Sequence, residues 1–164
     1  MSASTENLTT TPSFRWSTRE IVVVAAIGAA FAVLYLGWVQ VWLLTQGLLG
    51  PLSMDVMFGF WFLASPVAAS IIRKPGAAFA GELLAAAIQI LIGNPSGVIL
   101  LLTGVVQGAG AELPLALTKW RNYRLPMLMA MGGCASVFSF GYTWIRFDYG
   151  TLALGVVVSM FVLR

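Results

Sequence analysis

The chain has 164 residues, 59% of them hydrophobic and only 9% charged, against roughly 25% charged residues in a soluble domain. So few charges cannot cover a water-facing surface, which excludes a soluble globular protein and makes lipid the main solvent. The net charge of +3 does not point to nucleic acid, because the basic residues fall in short breaks between apolar runs, where membrane topology accounts for them.

Residues 1–18 are rich in Ser and Thr, hold no apolar core of a signal peptide, and read as a disordered cytoplasmic tail. Asn7-Leu8-Thr9 matches a glycosylation sequon, which in a cytoplasmic tail is a chance match. Residues 19–164 read as one transmembrane domain. Apolar runs cover about residues 21–45, 54–72, 76–92, 97–118 and 126–145, each near the ~20 residues that a helix needs to cross ~30 Å of hydrocarbon. Long unbroken runs lack the alternation of a membrane barrel, so strands are not expected. The breaks carry turn chemistry: Gly50-Pro51, Lys74-Pro75-Gly76, Gly93 to Gly97 and Leu125-Pro126. A last run, residues 152–163, is short for a span. It is either a sixth helix that starts within residues 147–150 or a helix cut by the end of the chain, and the second reading is preferred. The expected fold is an all-α, polytopic membrane helix bundle of five clear helices with a short or truncated sixth.

Arg15, Arg19, Arg73, Lys74, Lys119, Arg121 and Arg124 fall on one side of these five crossings and Arg146 on the other. The positive-inside rule places the N-terminus in the cytoplasm of a multi-pass protein of the cell membrane.

Two carboxylates interrupt the apolar runs. Ionisable groups at membrane depth cost about 2.5–3.5 kcal/mol at a helix centre and mark functional sites by default. Glu82 lies eight residues past Lys74 and Glu112 seven before Lys119. At ~1.5 Å per residue, both sit about 10–12 Å from the basic end, on antiparallel neighbours. Gln89 and Gln107 lie further toward the opposite side. Glu82 and Gln89, seven apart, share a helix face, whereas Gln107 and Glu112 point about 140° apart. These four groups read as a polar pocket between the third and fourth runs, or as an interhelical polar clamp.

Tyr35, Trp38, Trp42, Trp61 and Tyr142 gather toward the far side. They read as an aromatic mouth over a polar floor, suited to a flat cationic heterocycle, or as an interfacial belt formed for solvation alone. In the first run, Ala25/Ala29, Ala26/Ala30 and Gly28/Ala32 are each spaced by four, which lets another helix approach closely. Such a stripe serves a docking partner or ordinary packing within the domain. Arg146 and Asp148 read as a surface pair, and Asp55 as a helix cap.

There is no His, and Cys134 stands alone in an apolar run. No nucleophile–base pair, metal-ligand spacing or phosphate-binding loop is present. No catalytic residue, metal or cofactor is therefore expected, and any ATP would be hydrolysed by another subunit.

Arg19 to Val23, Leu34 to Gln40, Ser70 to Ala77, Ala80-Gly81-Glu82-Leu83-Leu84-Ala85 and Val106-Gln107-Gly108-Ala109-Gly110-Ala111-Glu112-Leu113 together resemble the YkoE family. Its members are substrate-binding (S) components of energy-coupling factor (ECF) vitamin transporters, and the likeness runs from about residue 19 to residue 142. The resemblance implies a six-helix membrane protein that captures thiamine or its hydroxymethylpyrimidine precursor. It also implies a transmembrane coupling (T) protein and ABC-type ATPase subunits as partners. On that basis Gln89, Gln107, Trp61 and Tyr142 are expected as direct ligand contacts, with Trp38, Trp42 and Tyr35 around them. Glu82 is expected as the carboxylate contact and Glu112 as its neighbour or a polar anchor. Two rival readings remain open: a proton-coupled secondary transporter using Glu82 and Glu112, and a non-transport membrane assembly subunit.

Overall fold

A computed structural model describes residues 15–164. Residues 1–14, with Asn7 and most of the expected tail, lie outside the described residues. Every regular element among those described is helical: α1 (Thr18–Leu49), α2 (Ser53–Val56), α3 (Ala64–Ile72), α4 (Ala77–Leu91), α5 (Leu100–Leu117), α6 (Leu125–Arg146) and α7 (Leu154–Leu163). Short 3-10 turns occur at Gly50–Leu52, Phe58–Phe62, Gly97–Ile99 and Tyr149–Thr151. Residues 18–56, 97–117 and 125–146 are long and apolar enough to cross a membrane, and 58–72, 77–91 and 154–163 are shorter apolar helices. The chain is an all-α, multi-pass membrane bundle.

α1 starts at a capping box. Ser17 Oγ accepts from Glu20 N, while the Glu20 carboxylate accepts from Ser17 N at 2.7 Å, which satisfies two donors that helix geometry leaves orphaned. Lys74 pairs with Glu20 at 2.8 Å, and Trp16 Nε1 donates to Pro75 O. These contacts clasp the start of α1 to the α3–α4 turn, where Arg73 closes α3 in the left-handed conformation.

The second apolar run differs from the single helix expected over residues 54–72. It breaks into α2, a 3-10 segment and α3. Pro66 explains where α3 can begin: it lacks an N–H and is tolerated only in a first turn, and it is the third residue of α3. The preceding segment follows side-chain anchors instead. Phe58 is fully buried, and Asp55 is 1% exposed. Asp55 is not a helix cap. Its carboxylate pairs with Arg164 at 2.7 Å, and the same guanidinium donates to Thr143 Oγ1 and Ser139 Oγ. A charge at this depth is tolerable only when paired and hydrogen-bonded, so α2 folds inward against α7 rather than resting at the interface.

α4 is the central helix, packing on α1, α3 and α5, and α5 packs on α6. Small residues set these spacings. A Cβ on Gly28 would meet Leu84 Cβ at 2.7 Å, one on Gly81 would meet Ala64 O at 2.9 Å, and one on Gly110 would meet Ala135 Cα at 2.9 Å. Lipid supplies no hydrophobic drive between helices, so close van der Waals approach through such positions holds the bundle together.

Candidate functional site

Glu82 occupies the second turn of α4 and is 2% exposed. Its Oε2 accepts from Tyr35 Oη at 3.4 Å and lies 3.2 Å from Ser65 Oγ. Ser65 Oγ is also 3.1 Å from Ala78 O, so its single proton is shared between two acceptors. Tyr35 Oη in turn accepts from Ala64 N at 2.7 Å. That N–H is a first-turn donor of α3 with no partner inside its own helix. One phenol thus joins α1, the start of α3 and the carboxylate of α4. The backbone N–H of Ser65 also donates to this carboxylate.

One turn-pair further along α4, Gln89 Oε1 accepts from Asn94 Nδ2 at 2.8 Å, and Asn94 Oδ1 accepts from Ser96 N. The Gln89 amide keeps its N–H pair. On α5, Gln107 Nε2 lies 3.5 Å from Ser139 Oγ of α6, which leaves the Gln107 carbonyl unused. These groups border a cavity of about 320 Å³, walled also by Val39, Trp42, Met54, Trp61, Ala86, Thr103 and Gly104, with Asn94 to Ser96, Arg146 and Phe147 at the end away from Glu82. Trp42 and Trp61 meet edge to face at 5.8 Å, and the buried Trp42 Nε1 has no partner among the described residues. The cavity is therefore an apolar and aromatic box with a carboxylate and two partly free amides in its wall. Such a box can hold a flat polar heterocycle by stacking while pairing its edge.

Six of the nine ligand-contact candidates line this space: Glu82, Gln89, Gln107, Tyr35, Trp42 and Trp61. Three stand outside its wall. Trp38 donates to Met57 O at 3.1 Å and stacks on Phe60 at 4.5 Å. Tyr142 sits one shell back, with Thr103 Oγ1 and Arg146 Nη1 each 3.5 Å from its hydroxyl. Glu112 faces the other way, as the angle from Gln107 requires. Its carboxylate accepts from Gly76 N at 2.7 Å, Phe79 N at 3.2 Å and Trp120 Nε1 at 2.5 Å, so it caps the N-terminus of α4, where a negative charge is favoured. In the small-residue stripe, Gly28 and Ala32 are buried, Gly28 against Leu84 of α4, whereas Ala25, Ala26, Ala29 and Ala30 are exposed.

Several wall residues were not anticipated. Asn94 and Ser96 read only as turn formers, Met54 as the start of the second apolar run, Phe147 as a candidate start of the sixth helix, and Arg146 as half of a surface pair with Asp148. Arg146 instead lines the cavity, with its guanidinium 5.0 Å from the Phe147 ring centroid and 5.9 Å from that of Tyr142. A larger, shallower groove of about 730 Å³ runs between α3 and α6. Its wall is apolar apart from Ser136 and Arg164, and Arg164 is spent on Asp55, so it has no free polar set to orient a ligand.

The likeness to known proteins agrees with this architecture. Residues 19–138 match the family described as the permease component of an ABC-type cobalt transport system. YkoE of Bacillus subtilis (strain 168), provisionally named an HMP/thiamine permease protein, is 40% identical over 149 residues, which is 91% of this chain and 75% of that protein. A crystal structure described as an S-component of an ECF transporter superposes with a TM-score of 0.88 at 40% identity, covering 92% of this chain and 76% of that one. With the helical bundle, the broken second run and the cavity already in place, these matches establish that the chain belongs to the YkoE family of ECF-transporter S components.

Proposed function

We propose that the chain is the substrate-capture subunit of an ATP-driven importer and that its ligand is thiamine or the hydroxymethylpyrimidine precursor. The observation that carries this reading is the 320 Å³ cavity that combines Glu82, Gln89 and Gln107 with the Trp42–Trp61 pair. An aminopyrimidine presents N–H donors and ring-nitrogen acceptors. Glu82 Oε1 and the Gln107 carbonyl would accept, and the Gln89 N–H pair and Trp42 Nε1 would donate. Inside a dry box each bond is worth making, because an unpaired buried group costs about 1–3 kcal/mol. The name of the Bacillus subtilis relative supports the same ligand class.

The rest of the assembly follows as part of the proposal. A T protein and ABC-type ATPases would supply the energy, and the exposed Ala25, Ala26, Ala29 and Ala30 offer the T protein a close-packing face on α1. The protein would lie in the cell membrane with the end bearing Lys74 and Lys119 in the cytoplasm, following the positive-inside rule, so that the Arg146 end of the cavity opens outward. A proton-relay role for the two glutamates loses support, since Glu112 is engaged as a helix cap away from Glu82.

Titration calorimetry on detergent-purified protein tests the reading. Thiamine or hydroxymethylpyrimidine should bind at one site per chain, and no heat with either compound would overturn it. Uptake in cells should stop when the ATPase subunits are lost and persist when the proton gradient is collapsed.

A further inference from the structure

Two charged side chains line the cavity among the described residues, Glu82 from α4 and Arg146 from the last position of α6. They are not partners of each other or of anything acidic. Arg146 forms no ion pair among the described residues, although Asp148 is two positions away; the ion pairs found join Lys74 to Glu20 and Arg164 to Asp55. Its one hydrogen bond is the long contact from Nη1 to Tyr142 Oη at 3.5 Å. A guanidinium has five N–H donors in a planar fork that matches a phosphate or carboxylate, so most of that fork is uncommitted. The Phe147 and Tyr142 rings hold the group from its sides, and Tyr142 is itself fixed by Thr103 of the cavity wall. A cation without an acidic partner at the mouth of an apolar box attracts an anion placed beside it more strongly than it would in bulk water.

The wall is therefore polarised along its length. The Glu82 carboxylate suits the amine N–H of an aminopyrimidine and the Gln89 N–H pair its ring nitrogen, and the arginine end suits an oxygen-bearing tail. From this polarity we propose that Arg146 is a specificity-determining residue that reads the oxygen end of the ligand, and that the cavity accepts a phosphate monoester in preference to the free alcohol. The inference rests on the aminopyrimidine reading of the same cavity and extends it to the ligand's charge state. For thiamine, whose thiazolium is already cationic, the ester's negative charge also offsets the repulsion between Arg146 and the ring. Bidentate Arg–phosphate pairing is charge-assisted and roughly twice as strong as a neutral hydrogen bond.

The experiment compares four probes on the detergent-purified full chain at low salt: hydroxymethylpyrimidine, its phosphate, thiamine and thiamine monophosphate. In the unaltered protein each ester should bind at least tenfold more tightly than its alcohol, equivalent to about 1.4 kcal/mol, and the advantage should shrink in high salt. Arg146→Gln should bring the ester-to-alcohol ratio to about one, and Arg146→Lys should fall between. Because the readout is a ratio within one preparation, a general loss of folded protein does not move it. Alcohols that bind while the esters bind equally or more weakly would overturn the role of Arg146 and leave the capture function standing. A preference that survives in Arg146→Gln would overturn it as well. No binding of any of the four would overturn the aminopyrimidine reading and this inference with it.

Discussion

Replacing Glu82 by Gln isolates the contribution of one buried negative charge. The side chain keeps its volume, and the amide can still meet Tyr35 Oη and Ser65 Oγ, now 3.4 and 3.2 Å from Oε2, since each hydroxyl both donates and accepts. The bonds that join α1, α3 and α4 therefore survive, and the bundle should melt within a few degrees of the unaltered protein. Ligand binding should not survive as well. Glu82 lines the cavity wall, and in the proposed pose its carboxylate pairs with the N–H edge of the aminopyrimidine. A hydrogen bond to a charged group contributes about 1.5–3 kcal/mol, which corresponds to roughly a 10- to 150-fold change in Kd. Calorimetry with thiamine and with hydroxymethylpyrimidine, paired with a thermal melt in the same detergent, measures both quantities. An affinity within threefold of the unaltered protein, with the melt unchanged, would refute the placement of ligand against Glu82 and leave it a structural clamp.

Three further substitutions separate structure from binding. Glu112→Ala removes the acceptor for Gly76 N, Phe79 N and Trp120 Nε1; it should cost about 0.5–2 kcal/mol as a lost helix cap, visible as a lower Tm, with ligand affinity retained in the folded fraction. Asp55→Ala leaves Arg164 buried without its counter-charge. Breaking such a pair costs about 3–5 kcal/mol, so this variant should unfold or aggregate on heating well before Glu112→Ala, and size-exclusion profiles after a temperature step would show it. Gly110→Val places branched carbons where a single Cβ would already lie 2.9 Å from Ala135 Cα and 3.0 Å from Cys134 O. Because those neighbours are backbone atoms they cannot rotate away, and overpacking of about 1–3 kcal/mol should appear as a lower Tm and looser α5–α6 crosslinking distances.

The sequence by itself determined the lipid solvent and the helical class, because these depend on local composition and on the length of the apolar runs. It also determined that Glu82 and Gln89 share a helix face and that Gln107 and Glu112 do not, since helix periodicity alone fixes those relations. The coordinates reproduce both: the first pair lines one cavity, while Gln107 faces it and Glu112 caps α4. Tertiary structure decided what periodicity could not reach. The second apolar run looks continuous in composition, yet it breaks because Asp55 finds Arg164, 109 positions away. An ion pair between distant positions leaves no mark in either local segment. Arg146 beside Asp148 looked like a surface pair for the same reason, because proximity in sequence is visible and the wall of a cavity is not. Glu112 shows the converse: one carboxylate at membrane depth serves either a ligand or a helix end with equal economy of residues. Only the position of the Gly76 and Phe79 amides, brought to it by the packing of α4 on α5, selects between them.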